Sequence, residues 1–335
     1  MSDAAEGAGT TKLIIQIPCY NEEGTLAIAL AELPREVPGI DTVEWLVIDD
    51  GSTDRTVQVA VDNGVDHVVQ LPKNRGLAVG FMAGLDSCLR LGADVIVNTD
   101  ADNQYNAADI PKLVAPILAG EAEIVVGARP IEEIEHFSPS KRLLQRLGSW
   151  AVRTASGTDI PDAPSGFRAM TREAAMRLNV FSAYTYTLET IIQAGQKGMA
   201  ITSVPIRVNE DLRPSRLVKS SGSYVRRSIG TMARIFMTYK PMEFFIVPGS
   251  VFFGLGLLAG ARFLLYYALG EGGGHIQSVL LAAVLLVIGF QLIVFGLLAE
   301  LMGVNRKLLE DIQWRMRRIE TDPAANGAAG GGPLE

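Results

Sequence analysis

Apolar and polar positions alternate in blocks from Lys12 to Gly127. Lys12 to Ile17 (KLIIQI) is a β-branched run stopped by Pro18, the pattern of a buried strand entering a loop. Glu22 to Leu33 follows with helical spacing, then Glu44 to Ile48 (EWLVI) as a strand, the turn Asp49-Asp50-Gly51-Ser52 and a helix from Thr53 to Asn63. His67 to Leu71 predicts a third strand, Gly76 to Leu91 a helix and Asp94 to Asn98 (DVIVN) a fourth strand. Pro111 to Leu118 reads as a helix and Glu123 to Gly127 (EIVVG) as a fifth strand. This alternation implies right-handed crossovers and a mostly parallel, doubly wound α/β sheet. Ligands of such sheets sit outside the carboxyl ends of the strands. The polar clusters after Ile17, Ile48, Val97 and Val126 all fall there, so separate loops converge on one crevice.

The pattern changes beyond residue 240. Phe244 to Ala261 is uncharged, apolar character continues past Arg262 to Leu269, and Ile276 to Ala299 is a second uncharged run. Each is long enough to cross about 30 Å of hydrocarbon, which takes roughly 20 residues. The link Gly270 to His275 lacks Lys and Arg, whereas Arg306, Lys307, Arg315, Arg317 and Arg318 follow the second run. The positive-inside rule then puts both termini in the cytosol and the Gly-rich link outside, with Arg262 snorkelling at the outer headgroups. Two further stretches have amphipathic helical spacing suited to the headgroup plane. Lys141 to Thr154 aligns Leu143, Leu144, Leu147, Trp150 and Ala151, and Gly222 to Tyr239 aligns Val225, Ile229, Met232 and Phe236. The expected organisation is a disordered tail (1–11), an α/β domain (12–211), a basic juxtamembrane amphipathic segment (212–242), two transmembrane helices (243–302) and a cytosolic tail (303–335).

Composition agrees with a chain held at a membrane. The hydrophobic share of 48% and mean hydropathy of +0.22 are high for a wholly soluble chain of 335 residues. A net charge of −7 argues against nucleic-acid binding. That average conceals an acid-free block, Leu212 to Met242, which carries Arg213, Arg216, Lys219, Arg226, Arg227, Arg234 and Lys240. Basic charge beside an apolar run suits anionic headgroups. Cys19 and Cys88 have neither disulfide nor metal spacing and read as buried thiols.

Candidate chemistry gathers at the strand ends. Asp100 and Asp102, in Asn98-Thr99-Asp100-Ala101-Asp102-Asn103-Gln104-Tyr105, follow the fourth strand directly. Two carboxylates this close repel unless a cation or donor groups neutralise them. Such oxygen ligands suit Mg²⁺ or Mn²⁺ held jointly with substrate phosphates, offsetting charge on a departing diphosphate. Asp49 and Asp50 fit a helix-capping turn as well as a ligand contact. Pro18, Tyr20, Asn21 and Glu22 form a loop able to stack on and read a base, and Lys73, Asn74, Arg75 and Gly76 bring positive charge to the same rim.

The succession IPCYNEE (17–23), VIDDGSTD (47–54), KNRGLAVGF (73–81), NTDADNQY (98–105), VVGARP (125–130) and DAPSGFRAM (162–170) resembles family 2 glycosyltransferases of the GT-A fold. The branch it is most similar to holds dolichol-phosphate mannose synthase and the GtrB-type polyprenyl-phosphate glycosyltransferases, over about residues 12 to 240, and the paired C-terminal helices resemble GtrB-type members. The resemblance implies a Rossmann-like GT-A catalytic domain followed by interface helices and two transmembrane helices. It implies that Pro18, Tyr20, Asn21, Glu22 and Asp50 line a nucleoside pocket, with Lys73, Arg75 and Gly76 at its edge. Asp100 would touch ribose or sugar, and Asp102 and Gln104 would ligate the metal with the donor diphosphate. Asp162 and Ser165-Gly166-Phe167-Arg168 would close the sugar pocket. Arg129, Lys141, Arg213, Ser215 and Arg216 would meet phosphate, Arg216 standing where Lys is more usual. The implied partners are a nucleotide-sugar donor, a polyprenyl phosphate and the membrane, with a homo-oligomer left open.

Chemistry supports that acceptor. A hydroxyl nucleophile needs a general base, whereas a phosphate monoester is already anionic and needs cations to bring it to an anionic donor. Arg and Lys crowd the acceptor side, and His67, His136 and His275 are poorly placed as bases. Ile131 to Ser140 would form the acceptor loop. Two other readings use the same sequence: a processive polysaccharide synthase, whose Q-x-x-R-W motif is matched here only by the out-of-order Gln313-Trp314-Arg315, and a non-catalytic membrane scaffold. If the acid-free block receives the lipid phosphate, Arg213→Ala and Arg216→Ala should each raise the KM for polyprenyl phosphate roughly tenfold, the value of one charge-assisted hydrogen bond. Calorimetry should show donor affinity unchanged; an equal loss of donor affinity would refute the assignment.

Overall fold

The computed structural model describes residues 10–130, 152–180, 186–210, 230, 233–270, 273 and 276–321. The chain divides into two compact units, Met1–Ser221 with Asp311–Glu335, and Gly222–Glu310.

In the first unit the strands β1 (Lys12–Cys19), β2 (Thr42–Asp49), β3 (His67–Gln70), β4 (Val95–Asn98) and β5 (Ile124–Ala128) match the apolar runs. Between them lie α1 (Leu26–Glu32), α2 (Thr56–Asp62), α3 (Leu77–Arg90) and α4 (Ile110–Leu118). Helices α1 and α2 start later than their periodicity predicts because residues 20–25 and 49–55 spend their polar groups on one another. Glu22 N donates to Thr56 Oγ1 at 2.9 Å, and Thr53 N to Asn21 Oδ1 at 2.8 Å. Two strands escape the hydrophobic pattern, β6 (Arg168–Thr171) and β7 (Ile201–Pro205), with α5 (Arg172–Arg177) and α6 (Thr187–Gln196) between them.

The sheet runs β3-β2-β1-β4-β6-β5-β7, with β6 antiparallel to both neighbours and the other pairs parallel. Its order reverses at β1 and β4, so the loops leaving their carboxyl ends separate and open a crevice. One face packs Leu13, Ile15, Ile17, Val47, Val97 and Val125 against α1 and α4 residues such as Leu30, Leu113 and Val114, all buried. Cys19 and Cys88 are buried free thiols. His67 lies at the start of β3, bonded to Glu44 at 2.8 Å, away from the carboxyl ends of the strands.

The second unit contains α7 (Pro241–Ala268) and most of α8 (Ile276–Thr321). They are 28 and 46 residues long, with mean hydropathies of 2.0 and 2.8 in their most apolar windows. Only 11% and 17% of those windows is buried, which leaves most of the apolar surface facing outward instead of into a core. Both helices are long and apolar enough to cross a membrane, and α8 stays helical to Thr321, well past its apolar part. Glycines bring the pair together. A Cβ on Gly289 would lie 2.5 Å from Phe253 N, one on Gly256 2.9 Å from Leu286, and one on Gly296 2.9 Å from Ile246. Small residues at such crossings let backbones approach where lipid supplies no hydrophobic drive. Residues 233–239 and 152–156 are helical, in keeping with the two amphipathic stretches; the remainder of those stretches lies outside the described residues.

A Cβ on Gly254, by contrast, would meet nothing within 4 Å, so this glycine serves as a control for the packing. Gly289→Leu should lower the melting temperature of the detergent-solubilised protein by several degrees, overpacking of this kind costing about 1–3 kcal/mol. Gly254→Leu should leave it unchanged.

Candidate active site

The crevice is built by loops that hold one another. After β1, Asn21 takes a left-handed φ of 53° and its backbone N–H donates to Ser52 Oγ at 2.9 Å. After β2, the Asp49 carboxylate accepts from Ser52 N at 3.1 Å, and the Asp50 oxygens accept from Arg75 N and Gly76 N, both at 2.8 Å. Gly51 has a φ of 71°, and a Cβ there would meet the Lys73 carbonyl carbon at 2.5 Å. Only glycine combines that conformation with so close an approach. Both aspartates therefore do turn work. Asp50 also fastens the Lys73–Gly76 rim, where Lys73 and Arg75 are exposed, beside a loop whose Tyr20 is exposed, Pro18 and Glu22 buried.

The loop after β4 forms the floor. Its last strand residue, Asn98, is fully buried and donates to Gly166 O at 2.9 Å and Tyr186 OH at 2.8 Å while accepting from Gln16 Nε2 at 2.9 Å. Asn98 pairs with Arg168 across the antiparallel β4–β6 ladder, and this register brings Gly166 onto Asp100. A Cβ on Gly166 would lie 3.1 Å from both Asp100 carboxylate oxygens and 2.9 Å from Tyr186 OH. Tyr105 completes the contact: its hydroxyl accepts from Gly166 N at 2.9 Å and its ring stacks on Phe167.

Asp100 keeps some surface in the crevice but is otherwise enclosed by protein. Burial, and then the charge of Asp102, push its carboxyl up to about 7, with Arg129 and Arg168 pulling the other way. Burial and the Asp100 charge also raise Tyr105 and Tyr186, so both remain protonated hydrogen-bonding groups. Asp102 is half-buried and accepts from Gln104 N at 3.2 Å. Arg129 grips the buried Asp162 through Nε at 2.7 Å and Nη2 at 2.9 Å. Burial opposes its charge, but the Asp162 hydrogen bonds outweigh this and hold the guanidinium firmly protonated.

The expected site residues thus occupy different depths. Pro18, Tyr20, Asn21, Glu22, Asp50, Lys73, Arg75 and Gly76 cluster in the loops after β1, β2 and β3. Asp100, Asp102, Gln104, Arg129, Asp162 and Gly166 gather around the loop after β4. Ser165, Phe167 and Arg168 are fully buried behind Gly166. Arg168 donates to Thr187 O at 3.2 Å, Thr190 Oγ1 and Ser165 O, and lies over the Tyr186 ring. They support the floor from within the core. Lys141, Arg213, Ser215, Arg216 and the loop Ile131 to Ser140 lie outside the described residues. Sequence reasoning missed Gln16, Asn98 and Tyr186. A polar Gln inside an apolar strand was the available signal, because such a residue requires buried partners.

No group of three or more His, Cys, Asp or Glu side chains is assembled for a metal among the described residues. The two carboxylates that follow β4, Asp100 and Asp102, are oxygen donors of the kind a hard divalent cation takes alongside phosphate and water. The Asp100 carboxyl is raised first by burial and then by the neighbouring Asp102 charge, so a positive charge brought beside it would favour its ionised form.

Comparison with known proteins places this architecture. The family model described as glycosyl transferase family 2 matches residues 14–178. The polyprenol monophosphomannose synthase of Mycolicibacterium smegmatis is 28% identical over 242 residues, 69% of this chain and 89% of the relative. Glucosyl-3-phosphoglycerate synthase from Mycobacterium tuberculosis, solved with Mn²⁺, UDP and glucosyl-3-phosphoglycerate, superposes with a TM-score of 0.54 at 25% identity, covering 68% of this chain and 80% of that one. An uncharacterized glycosyltransferase of Mycobacterium bovis is 33% identical over 212 residues, 62% of this chain and 89% of its own. Since the matched span contains β1 to β6 and the Asp100–Gln104 floor, and that relative is covered almost throughout, the chain belongs to glycosyl transferase family 2.

Proposed function

We propose that this glycosyltransferase moves a single sugar from a nucleotide-diphosphate sugar to a polyprenyl phosphate at the cytosolic face of a membrane. The observation that supports the reading is the crevice floor, where the Asp100 carboxylate packs on Gly166 within the field of Asp102 and of Arg129, itself paired with Asp162. The nucleoside enters between the Pro18–Glu22 loop and the Lys73–Gly76 rim, and Asp50 holds that rim in place. A UDP-sugar is the first choice of donor, supported by UDP in the similar solved structure. GDP-mannose is the second, supported by the mannose in the relative's name.

In the reaction, an oxygen of the lipid phosphate attacks C1 of the sugar on the face opposite the diphosphate, inverting that carbon. The C1–O bond to the diphosphate breaks and the nucleoside diphosphate leaves with the electron pair. No proton has to be removed from the nucleophile. Asp102 and Gln104 are the residues that would hold Mg²⁺ or Mn²⁺ with the donor diphosphate, and a bound ion supplies charge neutralisation of the leaving group. Mn²⁺ in the similar solved structure supports that choice. Asp100 orients the sugar or ribose, and Arg129, steadied by Asp162, adds positive charge toward phosphate. Arg213, Ser215, Arg216 and Lys141 receive the acceptor phosphate. Helices α7 and α8 anchor the chain with both termini cytosolic, in agreement with the basic residues outside the apolar runs.

A panel of radiolabelled nucleotide-sugars offered with polyprenyl phosphate tests the whole reading. One label should enter the lipid phase as a single-sugar product; a growing polymer would instead support a processive synthase, and no transfer from any donor would support a scaffold. Asp102→Ala should lower kcat/KM by about 10²–10³-fold, the range for loss of one charge-stabilising group, with fold and membrane insertion intact. Undiminished turnover would refute the metal role. The Asp100 carboxyl adds a pH dependence. Its folded value of about 7 stands above the ordinary 3.8, so its cost to stability is absent below about pH 4, grows across the interval and is complete above 7. Denaturant titrations of the metal-free protein should show stability falling over that window, and Asp100→Asn should remove that component.

A further inference from the structure

The loop that carries Asp102 and Gln104 is gripped from outside by a segment that none of the motifs contains. Asn103, between the two, has a left-handed φ of 58° and is buried. Asparagine tolerates that conformation better than other non-glycine residues, but a buried left-handed turn still needs partners to persist. The Asn103 side chain donates to Glu32 Oε1 at 3.0 Å, at the end of α1. Asn209 donates from its side chain to the other oxygen of the same carboxylate, Glu32 Oε2, at 3.0 Å, and to Asn103 O at 3.1 Å. Its backbone N–H donates to Gln104 O at 2.9 Å, and its side-chain oxygen accepts from Asn106 Nδ2 at 3.1 Å.

The grip continues along the chain. Tyr105 and Val208 form an antiparallel bridge, and Asn106 N donates to Arg207 O at 3.2 Å. Arg207 in turn donates from its backbone to Asp109 Oδ2 at 2.7 Å and from Nη2 to Asp109 Oδ1 at 2.8 Å. The segment 206–209 therefore lies along 103–109 as a hydrogen-bonded splint. Burial alone would raise the Asp109 carboxyl, but Arg207 and then Lys112 overcome this and lower it to about 2, so the far end of the splint stays charged at any physiological pH.

We propose that Asn209 and Glu32 are positioning residues that hold the Asp102–Gln104 loop in its ligand-holding shape. Glu32 acts through the Asn103 side chain and through Asn209, and Asn209 through the carbonyls of Asn103 and Gln104. This rests on the metal role given above to Asp102 and Gln104.

The test uses the full-length protein in detergent, with Mn²⁺ and UDP as probes, and GDP in place of UDP if the wild-type protein binds GDP instead. Asn209→Ala and Glu32→Ala should each weaken Mn²⁺-dependent UDP binding in calorimetry about tenfold and raise the half-activating Mn²⁺ concentration by a similar factor. Saturating Mn²⁺ should restore kcat to within a few-fold of wild type, and the melting temperature should stay close to it. In metal-free protein, amide hydrogen exchange over residues 99–106 should accelerate in both variants. Because the two residues share one network, the double variant should be no worse than the weaker single one. Unchanged Mn²⁺ dependence and unchanged exchange in both variants would overturn the clamp and leave the transferase reading standing. Fully additive effects would overturn the shared network. Failure of wild-type protein to glycosylate polyprenyl phosphate, with Mn²⁺-dependent UDP binding still sensitive to Asn209, would overturn the acceptor and keep the clamp. Wild-type protein without Mn²⁺-dependent binding of either UDP or GDP would overturn both.

Discussion

Asn98 ends the fourth strand with its carboxamide fully buried, and an amide in that position destabilises the fold by about 1–3 kcal/mol unless its hydrogen bonds are made. Gln16 from β1, the Gly166 carbonyl from the segment entering β6, and the Tyr186 hydroxyl at the start of α6 supply them. Three distant parts of the chain are thereby brought to one atom group at the end of a strand. Gln16 reaches Asn98 only because Gly84 leaves room, since a Cβ there would lie 2.4 Å from Gln16 Oε1. Tyr186 is held on its other side by Phe81, stacked at 3.8 Å, and by the buried Arg168 guanidinium over its ring. The site inherits its precision from this network, because the residue two positions on is Asp100.

That arrangement explains why the floor is charged yet stable. Gly166 packs against the Asp100 carboxylate where a side chain would collide, and Tyr105 fixes Gly166 through its backbone N–H. Burial there, and then the Asp102 charge, shift Asp100 toward its protonated form. The Arg129–Asp162 pair brings compensating charge from the end of β5, and the ion pair keeps that arginine from collapsing onto Asp100 itself. Electrostatic preorganisation of this kind works because the donors and charges are already oriented before substrate binds.

The C-terminal end of α8 gives the first unit a second support. Arg172 donates to Leu89 O, Ala93 O and Thr321 O, closing the end of α3 against the last helical turn. Arg317 donates to the carbonyls of Met176 and Leu178, and Trp314 Nε1 to Glu173 at 3.1 Å. The helix from Asp311 to Thr321 is therefore an integral part of the first unit. The expected cytosolic tail from 303 is helical to Thr321 and docked on α5 from Asp311 onward.

Much of this was readable in one dimension. Short continuous apolar runs identified β1 to β5 and period-3.6 spacing the helices between them, because a strand buried on both faces is apolar throughout and a one-sided helix repeats apolar residues at that interval. The two membrane-length runs needed only a count of uncharged residues, and Asp100, Asp102 and Gln104 stood out because acidic residues at a strand end require a partner. What the sequence could not display was pairing. Strand β6 is four residues with an arginine at its start, too short to show a period, and its antiparallel insertion between β4 and β5 is decided by long-range hydrogen bonds. That insertion set Gly166 on Asp100 and sent Phe167 and Arg168 into the core. The Glu32–Asn103–Asn209 clamp was equally hidden, since its members lie 71 and 106 residues apart along the chain and none has a distinctive local context. Local pattern determined which elements form and where polar chemistry collects; the tertiary contacts decided which of those polar groups face the crevice and which hold it in shape.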